Sequence, residues 1–438
     1  MRGSRGGSVT DDVRRAWRVL VVPGGTEIGL EINRALRDCK EVDLYSAGQK
    51  VPSASEFRFR RHIPMPPISD QAGLAALNAI IERNDIDFVF PAHDDVVLAL
   101  AENRAAIKAA VLGSEPRVCQ ITRFKSLTYK AVAGIVRTPQ VYQSDDELSF
   151  PVFVKPDRGQ GGQGARRIDD VQTLRTACER EPSLLVMEFL PGEEYTVDCF
   201  SSRAQGLIFC RGRERTRVRA GIAMQSHHVD DPLFVEIARN IETSLPMRGA
   251  WFFQVKRDRH GDLTLLEVAP RIAGAMALSR VTGANFPLLT IYDAAGFDVG
   301  VEAFEASIEL SRSLDNHYRI DFKYSAVYVD LDDTLIVNGR VNTRLVRFLY
   351  QCINEGRPVH LLTRHRHDLG ETLRRHRLQM IFDTVRLVDD AVCKSEFIKE
   401  HDAIFIDDSF RERRLVARAC GVKTFDSSAV ECLIDERA

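Results

Sequence analysis

The sequence predicts an α/β chain divided into three mixed units, and three stretches carry that expectation. Residues 18–22, Arg-Val-Leu-Val-Val, form an apolar run that ends in Pro23-Gly24-Gly25-Thr26, after which Ile28, Ile32 and Leu36 recur at the spacing of one helix face. Residues 151–156, Pro-Val-Phe-Val-Lys-Pro, form a second run and lead into Gly159-Gln160-Gly161-Gly162-Gln163-Gly164. Residues 326–329, Ala-Val-Tyr-Val, end in Asp330-Leu331-Asp332-Asp333, three carboxylates within four residues. Each reads as a buried strand emptying into a loop of polar or glycine residues. Open α/β sheets collect their ligands at such strand tips.

Composition bounds the rest. A chain of 438 residues has room for two or three domains, and a hydrophobic share of 44% is enough for solid cores. No apolar run approaches ~18 residues, so no membrane span is expected. Residues 1–16 begin Met-Arg-Gly-Ser-Arg-Gly-Gly-Ser, lack the apolar centre of a secretory signal, and read as a flexible or vector-derived tail. Nine cysteines are scattered without a Cys-x-x-Cys pair, as reduced thiols of a cytoplasmic protein would be. A net charge of -2 predicts no general attraction to nucleic acid or anionic lipid. Unit boundaries are expected near residue 120 and in the polar stretch 311–316.

The first unit, 17–120, reads as a βαβ unit. Its second strand, Val42-Asp43-Leu44-Tyr45-Ser46, lacks the terminal acid that a nicotinamide ribose would need. Phe88-Val89-Phe90-Pro91 ends in Ala92-His93-Asp94-Asp95; His93 and Asp94 either line a pocket or cap the following helix.

In the central unit, the glycine loop lets backbone N–H groups approach phosphate, and Lys155 adds a point charge; a plain flexible turn is the alternative. No Gly-Lys-Ser/Thr follows, so it is not a Walker loop. Upstream lies Phe124-Lys125-Ser126-Leu127-Thr128-Tyr129-Lys130. Downstream, Leu185 to Asp198 reads as strand, turn and strand around Glu188-Phe189-Leu190-Pro191-Gly192-Glu193-Glu194. Gln254 and Leu265-Leu266-Glu267-Val268-Ala269-Pro270-Arg271 lie in two apolar stretches that a turn at residues 258–262 brings together. This set resembles the ATP-grasp ligases, nearest the carbamoyl-phosphate-synthetase-like branch, across about residues 18–312. The resemblance implies a Rossmann-like preceding domain followed by an ATP-grasp α+β domain at 121–312. It also implies that Lys125 and Lys155 contact ATP phosphates while Gly161 and Gly162 close over them. Glu188, Phe189 and Leu190 would supply the adenine hinge, Glu194 the ribose contact, Gln254 and Glu267 the Mg²⁺ ligands, and Arg271 the stabilising charge on the moving phosphoryl group. The family pattern has asparagine where this chain has Ala269, so one metal-ligating oxygen is missing. Arg211, Arg213 and Arg215 alternate, so all three share one strand face, turned either to an anionic substrate or to solvent. His227 and His228 are adjacent and point opposite ways on a strand, a poor metal pair.

In the third unit, 320–438, three further pieces follow the acid knot. They are residues 358–364, Pro-Val-His-Leu-Leu-Thr-Arg, ending in the Thr363 hydroxyl; Lys394 before a helix; and Ala403-Ile404-Phe405-Ile406-Asp407-Asp408. Clustered carboxylates repel unless a cation or protons offset them. Phosphoryl transfer to a carboxylate needs a nucleophile, a second acid, groups that hold phosphoryl oxygens, and acids that hold Mg²⁺. The alternatives are surface acids on strand ends, or a site that binds phosphate without turnover. The four ordered pieces resemble the haloacid dehalogenase-like (HAD) phosphohydrolases over roughly residues 322–438. The resemblance implies Asp330 as nucleophile, Asp332 as general acid/base, and Thr363 and Lys394 on phosphate. Asp407 and Asp408 would hold Mg²⁺ with Asp330 and the Asp332 carbonyl. Gaps of about 30 residues leave no room for a large cap, so the site is open.

The two resemblances together imply a bifunctional enzyme using ATP and Mg²⁺. One unit would join a small-molecule carboxylate to an amine through an acyl phosphate; the other would dephosphorylate a phosphorylated metabolite before or after ligation. The alternative is a nucleotide-sensing module that regulates an active phosphatase. A nucleic-acid end-processing enzyme is a third reading, which the near-neutral charge disfavours. A homodimer remains open.

Overall fold

A computed structural model of the chain describes residues 15–143, 148–159 and 161–437. Nearly all of the expected tail and Gln160 of the glycine loop lie outside the described residues. Contacts divide the chain into two compact units that meet at Leu314 and Asp315.

The N-terminal unit opens with a five-stranded parallel sheet in the order 61–64, 42–48, 17–22, 88–91, 110–111. Its first strand, Trp17–Val22, runs into helix Glu27–Leu36, where the Thr26 side chain accepts from Gly29 N–H and supplies one of the open first-turn bonds. Ile28, Ile32 and Leu36 are all buried, as the i, i+4 spacing requires.

The centre of this unit is a six-stranded antiparallel sheet in the order 263–269, 249–257, 194–202, 206–219, 222–229, 309–311. The expected turn at 258–262 does join strands Gly249–Arg257 and Leu263–Ala269 as a hairpin. Alternation assigns its two faces. Tyr195, Val197, Cys199, Trp251, Phe253 and Val255 pack with Phe234, Ala238 and Ile241 of helix Pro232–Ser244. The intervening residues Glu194, Thr196, Asp198 and Gln254 therefore point to the opposite face, which carries the polar groups described below. A three-stranded antiparallel sheet, in the order 166–168, 152–156, 184–188, carries Lys155.

The C-terminal unit is a five-stranded parallel sheet in the order 384–387, 359–363, 327–329, 404–406, 423–425. Val327–Val329 is the central strand, and it is wholly buried, which explains its unbroken apolar run. Helix Thr343–Asn354 is capped by Asn342 and helix Phe410–Cys420 by Ser409. Lys394 begins a short 3-10 turn, Lys394–Phe397, rather than preceding an α-helix.

Two candidate active sites

In the N-terminal unit, a cavity of about 290 Å³ is lined by Lys125, Lys155, Gly161, Gly162, Glu194, Gln254 and Glu267, among others. Lys155 comes from the central strand of the small sheet. Its Nζ donates to the Tyr129 hydroxyl and to Leu266 O, both at 2.9 Å, with the ammonium 5.5 Å from the Tyr129 ring centre. Burial, reinforced by the nearby Lys125 charge, pushes its pKa down to about 7. Lys125 opens helix Lys125–Ala131, and its N–H and Nζ both donate to Asp157 O. The Asp157 carboxylate in turn accepts from Ser126 N–H and the Ser126 hydroxyl, which ties the start of the loop to that helix. Gln254 and Glu267 sit opposite each other on adjacent strands, so both side chains face the cavity.

The glycine loop rests on the turn at 220–221. Gly161 and Gly162 have φ of +59° and +70°. A Cβ on Gly221 would stand 2.0 Å from the Gly161 carbonyl, so this approach requires glycine. Arg123 anchors the start of the loop through Gly159 O at 3.1 Å while pairing with Asp95.

The remaining expected residues of this site fall elsewhere. Arg271 lines a smaller cavity of about 40 Å³, which shares Lys125 and Glu267 with the larger one. Its guanidinium is not free: Nε and Nη2 grip both oxygens of Asp94 at 2.6 and 2.8 Å. Burial opposes charge on both partners, but the Arg271 charge outweighs it and holds the Asp94 carboxyl below its usual range; Asp94 likewise raises Arg271. His93 does cap helix Asp94–Glu102, accepting from Asp95 N–H, whereas Asp94 belongs to the Arg271 pair. Glu188 faces a separate open groove beside Gln140; its N–H donates to Gln140 O and its carboxylate accepts from Gln140 N–H. Phe189 lies under the Arg167 guanidinium, and Leu190 is buried. Ala269 packs beside Phe252 in an apolar cluster.

The three arginines do share a face, but it is not a solvated one. Arg211 lies 3.6 Å from Asp230, Arg215 donates to Gly221 O and lies 3.1 Å from Glu194, and Arg213 is 2% exposed against buried Asp198. His227 and His228 point apart as expected: His227 lies 3.7 Å from Glu214, on the neighbouring strand, while burial and the Arg211 charge lower His228 to about 4.

In the C-terminal unit, the four ordered pieces converge at the C-terminal edge of the parallel sheet. Lys394 Nζ donates to Asp330 Oδ1 and Asp407 Oδ2, both at 2.7 Å. Burial pushes Asp330 up to about 7 and also raises Asp407. For Lys394 the two carboxylates outweigh burial and raise its pKa. Oxygens of Asp330, Asp407 and Asp408 lie within 4.8 Å of one another. The Thr363 hydroxyl, fully buried at its strand tip, has no hydrogen-bond partner. A buried hydroxyl without a partner is a group that a ligand oxygen can satisfy. Together these features fit Mg²⁺ and phosphate. The Asp332 carboxylate stands outside the acid cluster and is half exposed.

Sequence reasoning passed over three residues here. Tyr129 holds Lys155. Thr334 accepts from Asp408 N–H and donates to Asp408 Oδ1. His365 Nδ1 lies 2.9 Å from Asp332, and its Nε2 lies 2.8 Å from the Thr372 hydroxyl. The signal for His365 was its place two residues past Thr363, within Arg364-His365-Arg366-His367.

Comparisons with known proteins agree with the fold of the N-terminal unit. Residues 180–319 match the model of a family described as ATP-grasp in the biosynthetic pathway with Ter operon. Among curated proteins, no match is found. The structure resembles a variant of Rhizobium etli pyruvate carboxylase solved with acetyl coenzyme A, at 15% identity and a TM-score of 0.53. That match covers 65% of this chain but only 29% of the carboxylase. It also resembles an L-amino acid ligase from Bacillus licheniformis, at 16% identity and a TM-score of 0.52, over 65% of this chain and 75% of that one. A third likeness is to the biotin carboxylase domain of Hydrogenobacter thermophilus 2-oxoglutarate carboxylase, solved with MgADP, ADP and bicarbonate. Its identity is 14% and its TM-score 0.54, over 65% of this chain and 71% of that one. The family match and these structural likenesses together point to an ATP-grasp fold in the N-terminal unit.

Proposed function

We propose that the chain is a bifunctional enzyme that makes an amide with ATP in its N-terminal unit and hydrolyses a phosphoester in its C-terminal unit. In this reading residues 17–120 form the preceding domain, 121–312 the ATP-grasp domain and 320–438 an uncapped HAD-like phosphatase. The observation that carries the first half is one cavity lined by Lys125, Lys155, the glycine loop, Gln254 and Glu267. Support for a nucleotide comes from the carboxylase domain solved with MgADP, and for ligation from the L-amino acid ligase.

ATP phosphates would lie under Gly161 and Gly162 against Lys125 and Lys155, with the hinge after Glu188 on adenine and Glu194 on ribose. Lys155 takes up a proton as the phosphates settle. Gln254 and Glu267 would hold Mg²⁺, which spreads the charge of the phosphoryl group in transfer. A substrate carboxylate oxygen attacks the γ-phosphorus and ADP leaves. The amine then attacks the acyl carbon and expels phosphate. Arg271, fixed by Asp94, supplies a cation at the edge of this reaction. Excluding water protects the acyl phosphate.

In the C-terminal unit Asp330 attacks the phosphorus while Asp332 protonates the leaving oxygen. Asp332 then takes a proton from water, which hydrolyses the aspartyl phosphate. Thr363 and Lys394 hold phosphoryl oxygens, and His365 orients the Asp332 carboxylate. Asp330, Asp407, Asp408 and the Asp332 carbonyl would hold Mg²⁺. The second reading, nucleotide sensing, is favoured by Ala269, which removes one metal-ligating oxygen.

One experiment separates these readings. The protein is incubated with ATP, Mg²⁺ and a pool of carboxylates and amines, and consumed molecules are read by mass spectrometry. Acid-dependent ADP release supports ligation, whereas nucleotide binding without turnover supports sensing. Asp330→Asn should abolish p-nitrophenyl phosphate hydrolysis and leave ATP binding intact; Lys155→Ala should do the reverse. Folded variants that each lose both activities would refute two independent sites.

A further inference from the structure

Antiparallel register places a row of polar side chains across the central sheet. Glu267 pairs with Gln254, Gln254 with Thr196, Thr196 with Arg213, and Arg213 with His228. Directly opposed residues share a face, so this row starts at the expected metal ligands and runs away from them. Ser226, opposite Arg215, lies on the same face.

Beyond Gln254, this face holds buried polar atoms with no partner. They are the Thr196 and Ser226 hydroxyls, Nη1 of Arg213 and both ring nitrogens of His228. Buried polar groups are costly to leave unpaired, so several together on the site face mark a place that a ligand completes. Arg213 is also held in position. Its Nε donates to both oxygens of Asp198 at 3.2 and 3.1 Å, and Asp198 accepts from the Ser279 hydroxyl at 3.0 Å. Asp198 pairs with the buried guanidinium through Nε and leaves Nη1 as a donor without a partner. Arg215 Nε is likewise without a hydrogen-bond partner, but it lies 3.1 Å from the Glu194 carboxylate and its Nη2 donates to Gly221 O, while Arg211 lies 3.6 Å from Asp230 and donates to Phe304 O. Two strand spacings, about 10 Å, separate the Gln254 and Arg213 backbones.

We propose that the carboxylate substrate of the N-terminal site carries a second oxyanion, a carboxylate or a phosphate ester, bound by Arg213 Nη1 and the Thr196 hydroxyl while its reacting carboxyl lies toward Gln254 and Glu267. The assignment deepens the ligase reading and rests on it. The substrate class is a diacid of about glutarate length or longer, or a phosphorylated acid of similar reach. Guanidinium-to-oxyanion hydrogen bonds are charge-assisted and directional, so they distinguish such a substrate from a monoacid of equal length.

The test is binding, read by thermal shift and calorimetry on the full chain with Mg²⁺ and a non-hydrolysable ATP analogue. The probes are glutarate, adipate and 4-phosphobutyrate against butyrate and hexanoate. The diacids and the phosphoacid should bind at least about tenfold tighter than the monoacids. Thr196→Val should leave the unliganded melting temperature unchanged or higher, because the lost hydroxyl has no partner, yet weaken diacid binding about five- to tenfold. Arg213→Lys, which keeps a cation beside Asp198, should weaken it by more than about tenfold. Equal binding of mono- and diacids, no binding of any probe, or unaltered diacid affinity in Thr196→Val would each overturn the proposal. Diacid binding without acid-dependent ADP release would instead overturn the ligase reading and leave the subsite standing.

Discussion

Replacing Lys155 by methionine should stabilise the unliganded N-terminal unit while destroying its response to nucleotide. Lys155 is 7% exposed, and burial together with Lys125 brings its pKa from 10.5 to about 7. At about 1.4 kcal/mol per tenfold change in proton affinity, folding with a protonated Lys155 is disfavoured by at most ~5 kcal/mol. The bonds to Tyr129 and Leu266 O return about 1 kcal/mol each, and methionine leaves that carbonyl without this donor. The expected net gain for Lys155→Met is therefore about 2 kcal/mol at pH 7. Its pH dependence has a definite sign. Between pH 7 and 10.5 the unfolded chain holds the lysine proton and the folded chain releases it, so wild-type stability rises with pH. Below pH 7 both states hold the proton and the penalty is constant. The advantage of methionine should thus shrink from pH 7 to pH 9, by up to about 1.4 kcal/mol per pH unit. Urea unfolding followed by tryptophan fluorescence reads this unit selectively, because Trp17 and Trp251 are the chain's two tryptophans and both lie in it. A wild-type-minus-variant difference that stays flat from pH 7 to 9, or a variant less stable at pH 7, would refute the reasoning.

Other consequences concern both sites. Thr363→Val should raise KM for a phosphoester about tenfold without lowering the melting temperature, because it removes a buried hydroxyl that has no partner; a fall in melting temperature would assign Thr363 a structural bond instead. His365→Ala should lower phosphatase kcat about 10–100-fold with KM little changed, since it frees the Asp332 carboxylate without touching the phosphate contacts; steady-state kinetics at several pH values check this. Asp94→Ala leaves the Arg271 guanidinium buried without its partner and should cost on the order of 3 kcal/mol, measured by urea unfolding. Chelating divalent cations should abolish phosphoester hydrolysis, and Asp408→Ala should raise the Mg²⁺ concentration needed to restore it, read as a shifted half-activation point.

Much of the local architecture was legible in the chain itself. Strand 327–329 showed as an unbroken apolar run because both of its faces are covered, and the Ile28, Ile32, Leu36 spacing marked a helix with one buried side. Asp330, Thr363 and Asp407 were placed together because each ends one of three adjacent strands of a parallel sheet, whereas Lys394 reaches Asp330 and Asp407 from the 3-10 turn 394–397. His365 escaped notice because its role depends on Asp332 and Thr372 folding against it, and nothing in the run 364–367 separates it from His367.

Spacing and residue type alone determined the strand tips, the glycine turn and the grouping of chemistry-bearing residues, because these depend on backbone geometry over a few neighbours. Only the tertiary structure decided which charges are spent and which remain available. Arg271 meets Asp94 across 177 positions, Arg213 is clamped by Asp198, and Lys155 is buried against Leu266 O across 111 positions. Those outcomes turn on sheet register and on desolvation; a one-residue slip would move the strand residues Lys155, Asp198 and Arg213 to the other face.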